Sequence, residues 1–565
     1  MCRTNLLSRP VMLIRQLCLP GYPSQTLILA TCALVVSAFS SQAQELAAPP
    51  LRLSVEPTKL SSTLQLYVRA FRFEGNKAFS SQELARAVAG YVGREVSGLE
   101  LEEARRAVTE YYVSRGYINS GAVLPDQEPR DGIVVIRIIE GTLSTVRITG
   151  NKWLGESYIR DRIERWSGPP LNMNELKEGL QLLRQNPNVA QVNAELQPGT
   201  TPGTSALDVR VKDETPFRLG LQVDNDRPPS VGADEILLLA GDTSLTGHSD
   251  PFDLVYGIAE GGDHGFKFSD FNDESASYLV PLTPYDTSLR IYGNKNDYTV
   301  IEQPFKPLDI TSESYRAGAT LRQPLYETSS RELALAVTFE REHSKTIVNG
   351  APFETISPGS VNGAEDISAL RITQEWIDRS QTQVMALRST FSMGLGAFGV
   401  TDDGTDRNAK FFTWMGQGQY VLRLFNTPNQ LILRTIGQVS PRPLLAMEQF
   451  ALGGPDSVRG YLVYQIVRDE GVFSSAELRV PVMIDRLGSP IVQFAPFFDF
   501  GGAWNVGAST PDPTTIYSAG VGVLFSPNRH LNAQLYWGHP FRSVSNPHDD
   551  LQDYGITFKV IYEAF

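Results

Sequence analysis

From residue 217 to the end of the chain one pattern recurs. Segments of about ten residues alternate apolar and polar positions, and Gly, Asn, Asp or Pro turns separate them. Arg218–Val223, Ile236–Ala240, Ser288–Tyr292, Glu332–Phe339, Leu431–Val439, Ser474–Val480 and Tyr554–Tyr562 are examples. A period of two puts successive side chains on opposite faces, so each segment is a strand between two different environments. The region spans 349 residues, 217 to 565; at roughly 20 to 22 residues per strand and connection, it holds about 16 strands. The final strand carries Tyr554, Ile556, Phe558, Val560 and Tyr562 on one face, with Phe565 outside that register. Such a strand closes a barrel, because an unpaired edge in lipid is prohibitive. A soluble sandwich or propeller is the competing fold, but no blade repeat appears.

Residues 65–214 follow a different period. Phe71-Arg72-Phe73-Glu74-Gly75-Asn76-Lys77-Ala78-Phe79 recurs as Val146-Arg147-Ile148-Thr149-Gly150-Asn151-Lys152-Trp153-Leu154, an offset of 75 (146 less 71). Phe73 then matches Ile148, Leu84 matches Ile159, Val88 matches Ile163, Gly93 matches Gly168 and Leu101 matches Leu176. Helical spacing of Leu84, Ala87 and Val88, then of Leu101, Ala104 and Val108, predicts two helices after the Gly-Asn turn. Strands follow near Asn119–Leu124 and Ile133–Ile139, and in the second copy near Val189–Leu196 and Ala206–Val211. The unit is β-α-α-β-β, twice. The fold class is therefore two α+β repeats followed by an all-β transmembrane barrel of about 16 antiparallel strands.

Within the barrel region, Leu452–Tyr461 holds three glycines and a proline, so it is a loop. It nevertheless places one cation, Arg459, between Val458 and Gly460-Tyr461. Downstream, Phe498 and Phe500 share one strand face while Phe497, Asp499 and Gly501 share the other. Lipid outside and a polar lumen inside explain that division, and Gly501 leaves room for a close backbone. The expectation is a loop, around 451–470, folded into the lumen with Arg459 on Asp499. The bland alternative is an ordinary exposed turn and a solvated strand carboxylate.

Residues 1–43 carry Arg3, Arg9 and Arg15, no acid, an apolar run from Thr26 to Phe39 and then Ser41-Gln42-Ala43. That order is a secretory signal, and the apolar run is too short for a membrane anchor. Residues 44–64, with Pro49, Pro50 and Pro57, are expected to be a short flexible lead that does not plug a pore. No apolar run of 20 residues follows residue 43, which excludes a helical membrane protein and not a barrel. Cys2, Cys18 and Cys32 all lie in the signal, so thiol catalysis and cysteine metal sites are excluded from the mature chain. Without its three signal arginines the net charge moves from −13 to −16, which argues against nucleic acid. His248, His264, His343, His530, His539 and His548 show no metal-ligand spacing. No phosphate loop or nucleophile elbow occurs, and Asp402-Asp403-Gly404-Thr405-Asp406 lacks the full spacing of a calcium loop. No metal, cofactor or enzymatic activity is called for.

The whole mature chain resembles the outer-membrane transporters of two-partner secretion, the TpsB branch of the superfamily that includes the BamA barrel-assembly factors. Phe73-Glu74-Gly75-Asn76, Tyr112…Gly116-Tyr117, Leu124-Pro125…Gln127, Asp131-Gly132 and Glu140-Gly141 resemble a POTRA domain. Leu196-Gln197-Pro198-Gly199, Pro202-Gly203-Thr204 and Val223-Asp224-Asn225 continue the likeness to the barrel entry. Phe450…Leu452-Gly453-Gly454…Ser457-Val458-Arg459-Gly460-Tyr461 is similar to the family's sixth-loop motif. Glu477-Leu478-Arg479…Pro481 and Phe497…Asp499…Gly501 match the strands that follow it. The division is then signal 1–43, lead 44–64, POTRA repeats 65–142 and 143–214, and barrel 215–565.

The resemblance implies an outer-membrane channel with periplasmic POTRA domains that exports an unfolded, TpsA-like secreted partner such as a haemolysin- or adhesin-like exoprotein. It also implies contact with outer-membrane lipid, and insertion of the chain itself by barrel-assembly machinery. A passenger can add a strand to an exposed sheet edge; the expected edges are Asn119, Ala122 and Leu124, and Val189, Val192 and Leu196. The alternative is a factor that inserts or exports other outer-membrane proteins. A passive porin needs no POTRA repeats.

Overall fold

A computed structural model describes residues 65–565 except 262–264, 267–271, 304–305, 353–358, 426, 545–549 and 565. The signal, the lead and Phe565 lie outside the described residues. The rest divides into two compact units at Glu214/Thr215.

In the first unit the repeat has a common core. Phe73, Leu84 and Val88 are buried in the first copy, and their counterparts Ile148, Ile159 and Ile163 in the second. The first copy runs strand Ala70–Glu74, helices Ser81–Ala87 and Gly98–Val113, strands Gly121–Val123 and Ile133–Ile139. Ser80 and Ser97 begin the helices as capping boxes with Glu83 and Glu100. The second copy runs Thr142–Thr149, helices Glu156–Arg165 and Met173–Gln185, then Val189–Pro198 and Thr204–Asp213. In both, the first strand lies parallel to the last, and the penultimate strand forms an edge.

The turn after the first strand is tied down in the same way in each copy. Glu140 accepts the Lys77 and Ala78 amides at 2.7 Å each. Asp213 accepts those of Lys152, Trp153 and Leu154 at 2.7, 2.6 and 2.9 Å. Burial opposes ionisation of Asp213, but these amide donors outweigh it and hold the carboxyl below its ordinary range.

Two features of this unit depart from the sequence reading. A small sheet pairs Gln65–Val68 with Arg94–Ser97, so the first copy is not a plain β-α-α-β-β unit. Secondly, the expected strand Asn119–Leu124 shrinks to Gly121–Val123. Asn119 is buried instead, donating to Ser205 Oγ of the second repeat at 3.2 Å, and Leu124 packs against the first repeat's core.

In the second unit sixteen long strands among the described residues run from Phe217–Asp224 to Ile556–Glu563, each antiparallel to the next. The last pairs with the first, Lys559 facing Asp224 and Glu563 facing Gly220, which closes the barrel. Ile556, Phe558, Val560 and Tyr562 share the outer face as the alternation predicts, whereas Tyr554 lies in the 3₁₀ turn Leu551–Tyr554 that precedes the strand. On strand Pro490–Trp504, Phe498 is 49% and Phe500 38% exposed, against 5% for Phe497 and 0% for Asp499. Outward aromatics and inward polar groups make a wall between lipid and lumen.

Candidate functional site

The connection between strands Gln430–Val439 and Glu470–Ile484 folds into the lumen. It occupies 440–469, starting well before the expected 451, and includes the 3₁₀ turn Ala446–Glu448. Phe450–Leu452 and Ile466–Arg468 pair as a short hairpin. Phe450, Leu452, Val458, Tyr461 and Ile466 pack against the wall residues Met415, Ile436, Phe473, Ala503 and Ile516. The lumen is therefore not uniformly polar: the loop brings an apolar core of its own, which makes its docked position a folded state.

Arg459 stands at the tip, and every nitrogen of its side chain has a partner. Nε donates to Asp499 Oδ2 at 2.8 Å and Nη2 to Oδ1 at 2.9 Å, a two-pronged contact. The Arg459 amide reaches the same Oδ2 at 3.1 Å. Nη2 also donates to Ser475 Oγ at 3.1 Å, and Nη1 to Glu477. The guanidinium carbon lies 3.6 Å from the Phe497 ring centroid and 4.8 Å from that of Tyr536. Glu477 in turn accepts Arg479 Nε at 2.6 Å.

The flanking motif residues fix the tip. Gly460 has φ +89°, and a Cβ there would lie 2.7 Å from the Gly538 carbonyl oxygen. The Tyr461 hydroxyl lies 3.0 Å from the Arg542 carbonyl and accepts the Arg542 amide at 3.1 Å. At Gly501 a Cβ would meet Leu452 and Val458 at 2.9 Å, so a larger residue would push the loop from the wall. Val458, Arg459, Gly460 and Tyr461 thus meet Phe497, Asp499 and Gly501 in one buried cluster.

Glu477, Ser475, Arg479 and Tyr536 complete the cluster but were not among the expected site residues. Period two on Glu470–Ile484 carries the signal: Phe473, Ser475, Glu477 and Arg479 share the inward face. Ser475 faces Asp499 in register and Glu477 faces Phe497.

The two expected passenger edges are unequal. In the first repeat, the outward backbone of Ala122 is already taken: its amide donates to Thr109 Oγ1 at 3.0 Å and its carbonyl accepts Arg105 Nη1 at 2.8 Å. Helix Gly98–Val113 therefore covers that edge. In the second repeat the edge strand is ten residues long, Val189–Pro198. Val189 is buried, Val192 and Leu196 turn onto the core, and Gln191, Asn193, Ala194 and Glu195 face solvent. Asp402–Asp406 is a self-bonded turn, in which Asp402 and Asp403 accept the amides of Gly404 and Thr405. Among the described residues no group of three or more His, Cys, Asp or Glu is arranged to hold a metal ion.

A sequence model described as haemolysin secretion/activation protein ShlB/FhaC/HecB matches residues 203–525, and a ShlB-type POTRA model matches 66–141. The chain belongs to the ShlB/FhaC/HecB family. The outer membrane transporter CdiB of Dickeya dadantii (strain 3937) is 24% identical over 499 residues, covering 86% of this chain and 85% of that protein. The heme/hemopexin transporter protein HuxB of Haemophilus influenzae (strain 86-028NP) is 24% identical over 475 residues, covering 80% and 79%. The solved structure of CdiB from Escherichia coli aligns with TM-score 0.67 at 20% identity, covering 96% of this chain and all of that one. CdiB from Acinetobacter baumannii aligns with TM-score 0.65 at 16% identity over 99% of both chains. At such identity the structural likenesses speak to the fold. As a member of the ShlB/FhaC/HecB family, the chain is an outer-membrane barrel with periplasmic POTRA repeats.

Proposed function

We propose that this chain exports an unfolded secreted protein through its barrel, with the POTRA repeats receiving the passenger and the 440–469 loop closing the path. The observation that carries this reading is the loop itself, folded across the lumen and tied to the wall through Arg459 and Asp499. A porin gains nothing from such an obstruction, whereas a conditional pore requires one. With the repeats in the periplasm, the connection 440–469 enters from the outer side, because it follows an odd-numbered strand of the sixteen.

The passenger is received at Val189–Pro198, the ten-residue edge on which Gln191, Asn193, Ala194 and Glu195 face solvent. Backbone pairing there accepts many sequences, which suits a long chain sliding past one surface. Outward residues such as Phe498 and Phe500 face membrane lipid, and the barrel's own insertion uses barrel-assembly machinery. The work is export and not catalysis, and folding of the passenger outside the cell supplies its direction.

Export is tested by co-expressing the full chain with the secreted protein encoded beside it. Passenger is expected in the medium with the chain present and inside the cell without it. Equal release with and without the chain contradicts the proposal.

A further inference from the structure

We infer that Glu448 and Arg371 form a second latch on the lumen loop, and that this latch opens before the Arg459 end; the inference rests on reading the chain as an export pore. Glu448 lies on the inward arm of the loop, ahead of the Phe450–Tyr461 region. It meets Arg371 of strand Ala364–Arg379 face to face, with Nη2 at 2.6 Å from one carboxylate oxygen and Nη1 at 3.1 Å from the other. That strand is separated from Glu470–Ile484 by three others in the wall. The loop therefore grips two separate arcs of the barrel, one through a loop cation and one through a loop carboxylate. Beside Glu448, Leu444, Leu445 and Met447 pack on Ile367, Ala369 and Phe411, so the whole arm is seated there.

The two latches differ in what they leave behind. Asp499 is fully buried, and among the described residues every donor reaching its carboxylate belongs to Arg459. Lifting the tip strands that charge. Arg371 has wall partners besides the loop: Nε donates to Glu340 at 2.9 Å and Nη2 to Glu342 at 3.1 Å. When Glu448 leaves, the guanidinium stays paired, and Glu448 gains water. Phe497 and Tyr536 add ring contacts at the Arg459 end. Opening thus begins at Glu448, the arm swings from strand Ala364–Arg379, and the tip follows. Glu448 and Arg371 are positioning residues that set the closed state.

The test uses full-length protein. Glu448→Gln keeps the shape and removes the charge, and heat-dependent gel mobility reports that the barrel has formed. In planar bilayers its open time is expected to rise roughly tenfold, equivalent to about 1.4 kcal/mol in the closing equilibrium. A folded Glu448→Gln protein that gates like the unaltered one overturns the latch.

The order of release is read separately, with both latches intact. Gln449→Cys sits beside Glu448 and Ser457→Cys near Arg459, and no native cysteine follows Cys32. During export a membrane-impermeant maleimide is expected to label the cysteine at 449 before that at 457. The reverse order, or equal rates, overturns the proposed sequence. An unaltered chain that exports no passenger contradicts the export reading itself. One that exports while Glu448→Gln gates normally contradicts only the latch.

Discussion

Asp499 is paired with Arg459 through both carboxylate oxygens, at 2.8 and 2.9 Å, forty residues apart in sequence and inside a closed wall. The pair joins a loop to a strand that lies beyond the next one in sequence, Pro490–Trp504. Its chemistry is specific to arginine: a planar fork matches a carboxylate, while a lysine offers one compact charge. Arg459→Lys is therefore expected to impair export although it keeps the charge. Secretion of the partner, measured beside the amount of folded barrel in the membrane, checks this; export at the unaltered level would show that charge alone suffices.

Gly460 makes an independent prediction. Its backbone is left-handed and its missing Cβ is where the Gly538 carbonyl lies. Gly460→Ala is expected to destabilise the docked loop by about 1–3 kcal/mol, through strain and the lost close approach. Limited proteolysis of folded barrel in detergent should then cut within 440–469 faster than in the unaltered protein. An unchanged cleavage rate would mean that the loop does not rely on this contact.

In the periplasmic unit, Asp213 links turn geometry to pH. Its carboxyl is depressed in the folded state, because the Lys152, Trp153 and Leu154 amides outweigh the burial that opposes its charge. The sign follows directly: the contribution is present above the ordinary aspartate value of about 3.9 and is lost as pH falls through the folded value. Asp213→Asn is expected to lower the melting temperature of fragment 65–214 at neutral pH and to lessen its further fall below about pH 4. Parallel melts at pH 7 and pH 3 decide it; an identical acid response in both proteins would remove Asp213 as the cause.

The unequal edges predict where a passenger protects the backbone. Hydrogen exchange of fragment 65–214, with and without the partner's amino-terminal segment, is expected to slow amides within Val189–Pro198. Amides of Gly121–Val123 should change little, since Thr109 and Arg105 already occupy Ala122. Protection confined to Gly121–Val123 would reverse the assignment.

Alternation made much of this legible. Phe497 to Gly501 has only two environments to choose between, so five letters reveal which side chains enter the lumen. The repeat was legible because Phe73, Leu84 and Val88 recur at one offset as Ile148, Ile159 and Ile163, all in cores. Glu448 was not, because an irregular arm has no period and its partner Arg371 is 77 residues away. The strand expected at Asn119–Leu124 is shorter, Gly121–Val123, for a similar reason. Its apolar letter Leu124 serves the core, and Asn119 turns to Ser205, 86 residues distant.

A double-mutant cycle on export measures whether Arg459 and Asp499 act as one closing contact in the lumen. Arg459→Ala and Asp499→Ala are made singly and together, with folded barrel in the membrane quantified for each. Losing one partner of a buried pair is expected to cost on the order of 3–5 kcal/mol of the docked state. The double substitution should add little to either single one, because the shared contact is removed only once. Export defects that add strictly would show the two residues acting separately, and would contradict the lumen-loop account.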